Sequence, residues 1–404
     1  MRDTRPVQTK PGDPAGGIHV TFPYAQTLAL LDHLVGFPTV SADSNLQLIS
    51  FAEAQLRQAG FETRRIPDAT GTKAGLLARS GPGTGGVMLS AHSDVVPVAG
   101  QQWTREPFRL VRDGGRLYGR GTTDMKGFLA SMLSCAQRAG QKDLRKPLML
   151  CISFDEEVGC TGIRQMLPAI RDLDWRPDLC IVGEPTGMRP AIGHKGKAAF
   201  SATCIGSSGH SALAPKYVNA LHLAADVIGI LRRIQDGYAT GAQQDADYAI
   251  SYSTVHVGRM QGGTALNIVP DRASLEFELR HLAGDSVSDF MERLDQDIQT
   301  TLAAWRRIEP AADIVVQITN RYPGLALLPD DLACRQVAAF CGEDRPIKVA
   351  YGTEAGYLSQ LGIPTVVCGP GDMEAQGHKA DEFVEVAQLA ACDRMLDRVL
   401  DSLA

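Results

Sequence analysis

No stretch of the 404-residue chain reaches the roughly 18 consecutive apolar residues of a membrane-spanning helix. The first 17 residues hold three prolines and three glycines among polar neighbours and lack the apolar core of a secretory signal, so residues 1–20 are expected to form a disordered lead. No C-x-x-C pair occurs among the nine cysteines, and several of them sit inside apolar runs such as 148–154. They read as reduced core thiols of a soluble, cytoplasmic protein. Basic blocks are also missing. With 40 Lys and Arg against 46 Asp and Glu, the net charge of -6 gives no chain-wide pull toward nucleic acid or an anionic membrane surface. Ser207-Ser208-Gly209-His210 lacks the spacing of a nucleophile elbow, and Gly81 to Gly86 lacks the Gly-Lys-Ser/Thr ending of a phosphate loop. There is no internal repeat and no low-complexity tract. What is present is 44% hydrophobic residues in a chain long enough for about two or three folding units.

The apolar residues are grouped in two grammars. Leu28, Leu31, Leu34 and then Leu46, Ile49, Leu56 recur at helical spacing, with Gly60 as a stop. Continuous apolar runs follow at 86–91, 148–154, 179–182 and 365–368, as expected of strands buried on both faces, with an amphipathic helix over 125–139. From about residue 191 the pattern alternates in period two, at 197–204 and 269–279, with helices at 219–233 and 286–298. That predicts an antiparallel sheet covered on one face. The chain therefore reads as α/β, with a mainly parallel catalytic domain at 21–190 and 320–404 interrupted by an α+β domain at 191–319.

Chemistry-bearing residues stand at the carboxyl ends of the buried runs, where open α/β sheets bind ligands. The first run ends in His92-Ser93-Asp94, the second in Asp155-Glu156-Glu157, the third in Gly183-Glu184. Each has a plain alternative: a surface turn for His92 to Asp94, a solvated loop for Asp155 to Glu157, an N-cap for Asp124, an exposed loop for His378. Taken together they imply a cation, because carboxylates gathered without one repel and take up protons.

The ordered set 91-AHSDVVP-97, 119-GRGTTDMKG-127, 155-DEEVG-159, 182-VGEPT-186 and 377-GH-378 resembles the M20 metallopeptidase family over nearly the whole chain. The resemblance implies a zinc-peptidase-like catalytic domain with a ferredoxin-like lid and dimerisation domain. It implies two divalent ions, zinc or else cobalt or manganese, bridged by Asp124, with His92 and Glu184 on one and Glu157 and His378 on the other. Asp94 would orient the ligand imidazole, and Glu156 would be the general base for a metal-bridging hydroxide. In 206-GSSGHSALAP-215 the family's oxyanion-stabilising histidine, reaching into a partner protomer, corresponds to His210. Asn267 and Arg280 match its substrate-binding residues, Arg280 for a carboxylate. The segments 191-AIGHKG-196, 351-YGTEAG-356 and 368-CGPG-371 resemble the family's acetylornithine-deacetylating branch. They imply action on a small N-acyl amino acid, N2-acetyl-L-ornithine, in arginine biosynthesis, and the His210 match implies a homodimer. Glu354 is expected to face the substrate's distal ammonium, directly or through an intervening group. A succinyl-diaminopimelate desuccinylase or a dipeptidase would share every ligand, and a purely structural cation site is the reading from a different class.

Overall fold

The computed structural model describes residues 24–174 and 176–404; the lead expected at 1–20 lies outside them. Val87–His92, Leu148–Ser153 and Leu179–Val182 are buried along their whole length, and they pair in parallel, with Val87 opposite both Leu148 and Leu179. Thr365–Val367 continues the parallel set beside Leu179–Val182. This is the expected parallel centre. Antiparallel strands flank it: Ala74–Ser80 pairs with Leu148–Ser153 and with Glu62–Pro67 on one side, and Ala191–His194 meets Leu325–Ala326 on the other. The result is a nine-stranded mixed sheet. The link between Pro67 and Ala74 is too short for the crossover that parallel neighbours need, so this pair must form a hairpin.

The helix Lys126–Ala139 lies on this sheet and is buried almost all round, because Ala25–Val35, Leu46–Gln58 and Val386–Leu403 pack over it. Val386–Leu403 contributes Leu389, Cys392, Leu396, Val399 and Leu403 at helical spacing. A small three-stranded sheet joins Val111–Asp113, Arg116–Tyr118 and Phe383–Glu385, which brings residue 382 against residues 119–124.

The period-two segments form a separate antiparallel sheet, ordered Thr254–Gly262, Arg272–His281, Gly196–Ile205, Asp313–Tyr322. Ala198, Phe200, Ala202 and Cys204 alternate with partly exposed residues, and with Leu275, Phe277 and Leu279 they pack against helices Ala220–Thr240 and Val287–Trp305. Their apolar cluster is distinct from those of the large sheet.

One buried acid makes stability depend on pH. Asp393, fully buried in Val386–Leu403, accepts a hydrogen bond from Thr27 Oγ1 at 3.1 Å and stands 4.0 Å from Arg138 Nη2. Burial pushes its pKa up to about 7, against the opposing pull of Arg138 and Thr27. The folded state therefore holds this proton more tightly than the unfolded chain, and stability is lost as pH rises from about 4 to above 7. Asp393→Asn is expected to raise the unfolding temperature at pH 8 and to change it little near pH 4. Thermal melts of the two proteins across that range check the sign.

Candidate active site

His92 is the last residue of Val87–His92, and Glu156, Glu157 and Glu184 lie just past the ends of the two neighbouring parallel strands. Asp124 stands before Lys126–Ala139, whose N-cap is Met125 and which has no side-chain cap. The N-cap alternative for Asp124 therefore falls, and its carboxylate is free for other work. Gly183 lets Glu184 approach, since a Cβ there would lie 2.0 Å from the Phe128 ring. His378 arrives from the loop before Phe383–Glu385 with a φ of +59°.

These side chains converge. His92 Nε2 is 2.9 Å from Asp124 Oδ1 and 3.7 Å from Glu184 Oε1. His378 Nε2 is 3.0 Å from Asp124 Oδ2 and 3.0 Å from Glu157 Oε2. Asp124 thus offers one oxygen to each imidazole, with Glu184 on one side and Glu157 on the other. Donor atoms of His92, Asp124 and Glu157, and again of His92, Glu156 and Glu184, lie within 4.8 Å of one another.

The electrostatics fit a cation. Burial, reinforced by Asp124, pushes Glu157 up to about 7, with the imidazoles opposing. Glu156 and Glu184 are held well above the usual carboxylate range, by burial first and neighbouring carboxylates next. Burial resists charge on His92, but hydrogen bonds to Asp124 and Asp94 outweigh it and hold its pKa well above the ordinary value. Hydrogen bonds to Asp124 and Glu157 carry His378 up to about 10. Asp124 is itself buried, yet hydrogen bonds from His378 and His92 keep it ionised well below the usual range. Protons on the imidazoles and glutamates here stand in for positive charge that divalent ions would supply, and the oxygen and imidazole donors suit zinc, cobalt or manganese.

Asp94 serves this cluster differently from the simplest expectation. His92 Nδ1 donates to the backbone carbonyl of Asp94 at 3.0 Å, which leaves Nε2 directed at the cluster, while the Asp94 carboxylate is 3.6 Å from Nδ1. That carboxylate accepts from Ser41 Oγ at 2.6 Å and from the backbone N–H groups of Glu156 and Glu157 at 3.1 and 3.3 Å. It therefore holds the glutamate loop as well as the imidazole. Ser41 carries no sequence signal of this role.

The remaining expected residues lie elsewhere. Arg280 is the last residue but one of Arg272–His281 in the second sheet, and it donates from Nε to Glu278 at 3.0 Å and from Nη1 to the Tyr322 hydroxyl at 2.9 Å. His210 and Asn267 sit together on an exposed two-stranded unit, Gly209–His210 against Ile268–Val269, with Ser211 N–H donating to the Asn267 carbonyl at 3.1 Å. Among the described residues no hydrogen bond or ion pair joins either to the cluster. Glu354 is 1% exposed, with Oε1 lacking a hydrogen-bond partner and its pKa pushed by burial up to about 7. Its burial equals that of His92, Asp124 and Glu184, which are 1–3% exposed.

A mixed α/β sheet whose strand ends, with the turn before Lys126–Ala139 and the loop before Phe383–Glu385, bring four carboxylates and two imidazoles to one point is that of a metal-dependent hydrolase. The model of Peptidase family M20/M25/M40 matches residues 88–402, and the chain belongs to that family. It is 32% identical over 375 residues to the acetylornithine deacetylases of Salmonella arizonae and Klebsiella pneumoniae, covering 91% of this chain and 95% of each relative. Its fold is similar to that of an M20 family metallo-carboxypeptidase from Sulfolobus solfataricus, at a TM-score of 0.74 and 18% identity over 93% of this chain and 98% of the other. It is also similar to a dinuclear metal binding peptidase of the family from Bacillus subtilis, at 0.66 and 17% over 94% and 98%.

Proposed function

We propose that the protein is a cytoplasmic dinuclear-metal deacetylase that hydrolyses N2-acetyl-L-ornithine to L-ornithine and acetate in arginine biosynthesis. The observation that carries the dinuclear reading is the sharing of Asp124, one oxygen toward His92 and the other toward His378. His92 and Glu184 would hold one ion and Glu157 and His378 the other, with Asp124 shared between them; zinc is the proposed metal. When bound, the ions polarise the amide carbonyl and lower the pKa of the attacking water. Glu156, beside Glu157 but outside the six-donor bridge, takes the water's proton and passes it to the leaving amine. Its N–H is fixed by Asp94 and its Oε1 accepts from the Cys160 thiol at 3.2 Å.

Likeness to acetylornithine deacetylases along nearly the whole chain supports the substrate. Glu278 and Tyr322 hold Arg280, whose other N–H groups are then oriented for the substrate's α-carboxylate. Glu354 serves the substrate's ammonium, directly or through an intervening group. The lid and dimerisation domain, expected at 191–319, runs instead from Gly196 to Tyr322, because Ala191–His194 pairs within the nine-stranded sheet and Asp313–Tyr322 within the second sheet; it is inserted in the catalytic domain. His210 and Asn267, exposed and apart from their own chain's cluster, serve the partner protomer in a homodimer, where His210 stabilises the developing oxyanion.

A panel of N-acetyl, N-succinyl and N-formyl amino acids and dipeptides, assayed on metal-reconstituted protein, tests the substrate. Acetylornithine is expected to give a kcat/KM at least about tenfold above the others, the scale of discrimination a pocket contact supplies. A preference for succinyl-diaminopimelate or a dipeptide would overturn the substrate and leave the metal chemistry standing.

A further inference from the structure

We propose that Gln101, acting with the buried Arg120 and Glu382 pair, is a positioning residue that ties the backbones of Asp124 and His378 into one unit and so sets the spacing of the two metal positions. The inference rests on the dinuclear reading above and adds residues that none of the ligand motifs includes as ligands.

Arg120 and Glu382 are 0% and 1% exposed and meet at 2.6 Å between Nη1 and Oε2. The other oxygen of Glu382 accepts from the backbone N–H groups of Thr123 at 2.9 Å and Asp124 at 3.1 Å. The other nitrogen of Arg120, Nη2, donates to Gln101 Oε1 at 2.5 Å, and Trp103 Nε1 donates to the same oxygen at 3.0 Å. With two donors on its oxygen, the amide has a single orientation, and its Nε2 donates to the His378 carbonyl at 2.8 Å. An unbroken chain therefore runs from the Asp124 peptide through Glu382, Arg120 and Gln101 to the His378 peptide. The Arg120 guanidinium also lies 5.0 Å from the Trp103 ring centre.

Two features argue for positioning over general stabilisation. A buried ion pair is a weak source of net stability, because desolvation offsets most of its attraction. Here its further hydrogen bonds go to the Asp124 peptide directly, to the His378 peptide through Gln101, and to the carbonyl of Lys379 beside it at 3.4 Å. The His378 loop also needs outside support: His378 and Asp381 both have left-handed φ angles, +59° and +55°, in non-glycine residues. Gln101 and Thr104 supply it, the latter by donating from its N–H and hydroxyl to the Asp381 carboxylate at 3.0 and 2.7 Å.

The test is Gln101→Met in the full chain, reconstituted with zinc or cobalt(II) and titrated with a chelator. The variant is expected to release one of its two ions at about 10- to 100-fold lower chelator concentration, the usual cost of losing a group that supports a ligand. The cobalt protein's visible absorption should change, while the metal-free unfolding temperature should match the wild type. If Gln101→Met does not fold, Gln101→Glu carries the same expectation, since it keeps the oxygen facing Arg120 and Trp103 but removes the donor to His378. Chelator titrations and cobalt spectra identical to the wild type would overturn the proposal. A wild-type protein that binds no divalent ion would instead defeat the dinuclear reading, and the proposal with it.

Discussion

Glu156→Ala is expected to lower kcat for amide hydrolysis by about 10²- to 10⁴-fold, the usual contribution of a general base, while two ions remain bound per chain. The expectation follows from the division of labour in the glutamate loop. Glu157 approaches His378 and Asp124, whereas the Glu156 carboxylate has only the Cys160 thiol as a hydrogen-bond partner among the described residues. Removing Glu156 should therefore take away a proton acceptor and spare a ligand. Kinetics and metal analysis on the same preparation decide the matter. Loss of one ion along with activity would make Glu156 a ligand, which its closeness to His92 and Glu184 permits geometrically. A structural cation site would give no hydrolysis even in the wild type.

Asp124→Asn has the second large effect, and it should appear in metal content before kinetics. One amide cannot replace a carboxylate that offers an anionic oxygen to each side. Retention of at least one ion should weaken by about 10³-fold or more, equivalent to about 4 kcal/mol, with turnover falling in parallel. The fold should persist, because the Asp124 backbone keeps its hydrogen bond to Glu382. Metal-binding titration together with an unfolding curve separates these outcomes. An Asp124→Asn protein that retains both ions with unchanged affinity would rule out the bridging role.

The residues that were legible in the sequence share a cause. His92, Glu156, Glu157 and Glu184 each follow a continuous apolar run, and such runs mark buried strands whose ends open into one crevice. The hairpin of Glu62–Pro67 and Ala74–Ser80 was hidden because the first strand is exposed or half-buried and carries arginines in place of apolar alternation. Edge strand Thr254–Gly262 escaped for the same reason, being mostly exposed. Ser41 and Gln101 were invisible because nothing local distinguishes a serine or glutamine whose partner lies tens or hundreds of residues away. The burial of Glu354, at the start of Ala355–Gln360, depends on how the loop there packs, which no spacing encodes.

His378 meets Glu157 across 221 residues of chain, with the whole second sheet translated in between. Glu382, which holds the Asp124 peptide, and the helix Val386–Leu403, which covers Lys126–Ala139, come later still in the chain, so a nascent polypeptide can close the cluster only after synthesis has passed them. On the dinuclear reading proposed above, folding therefore comes before metal loading and hydrolysis.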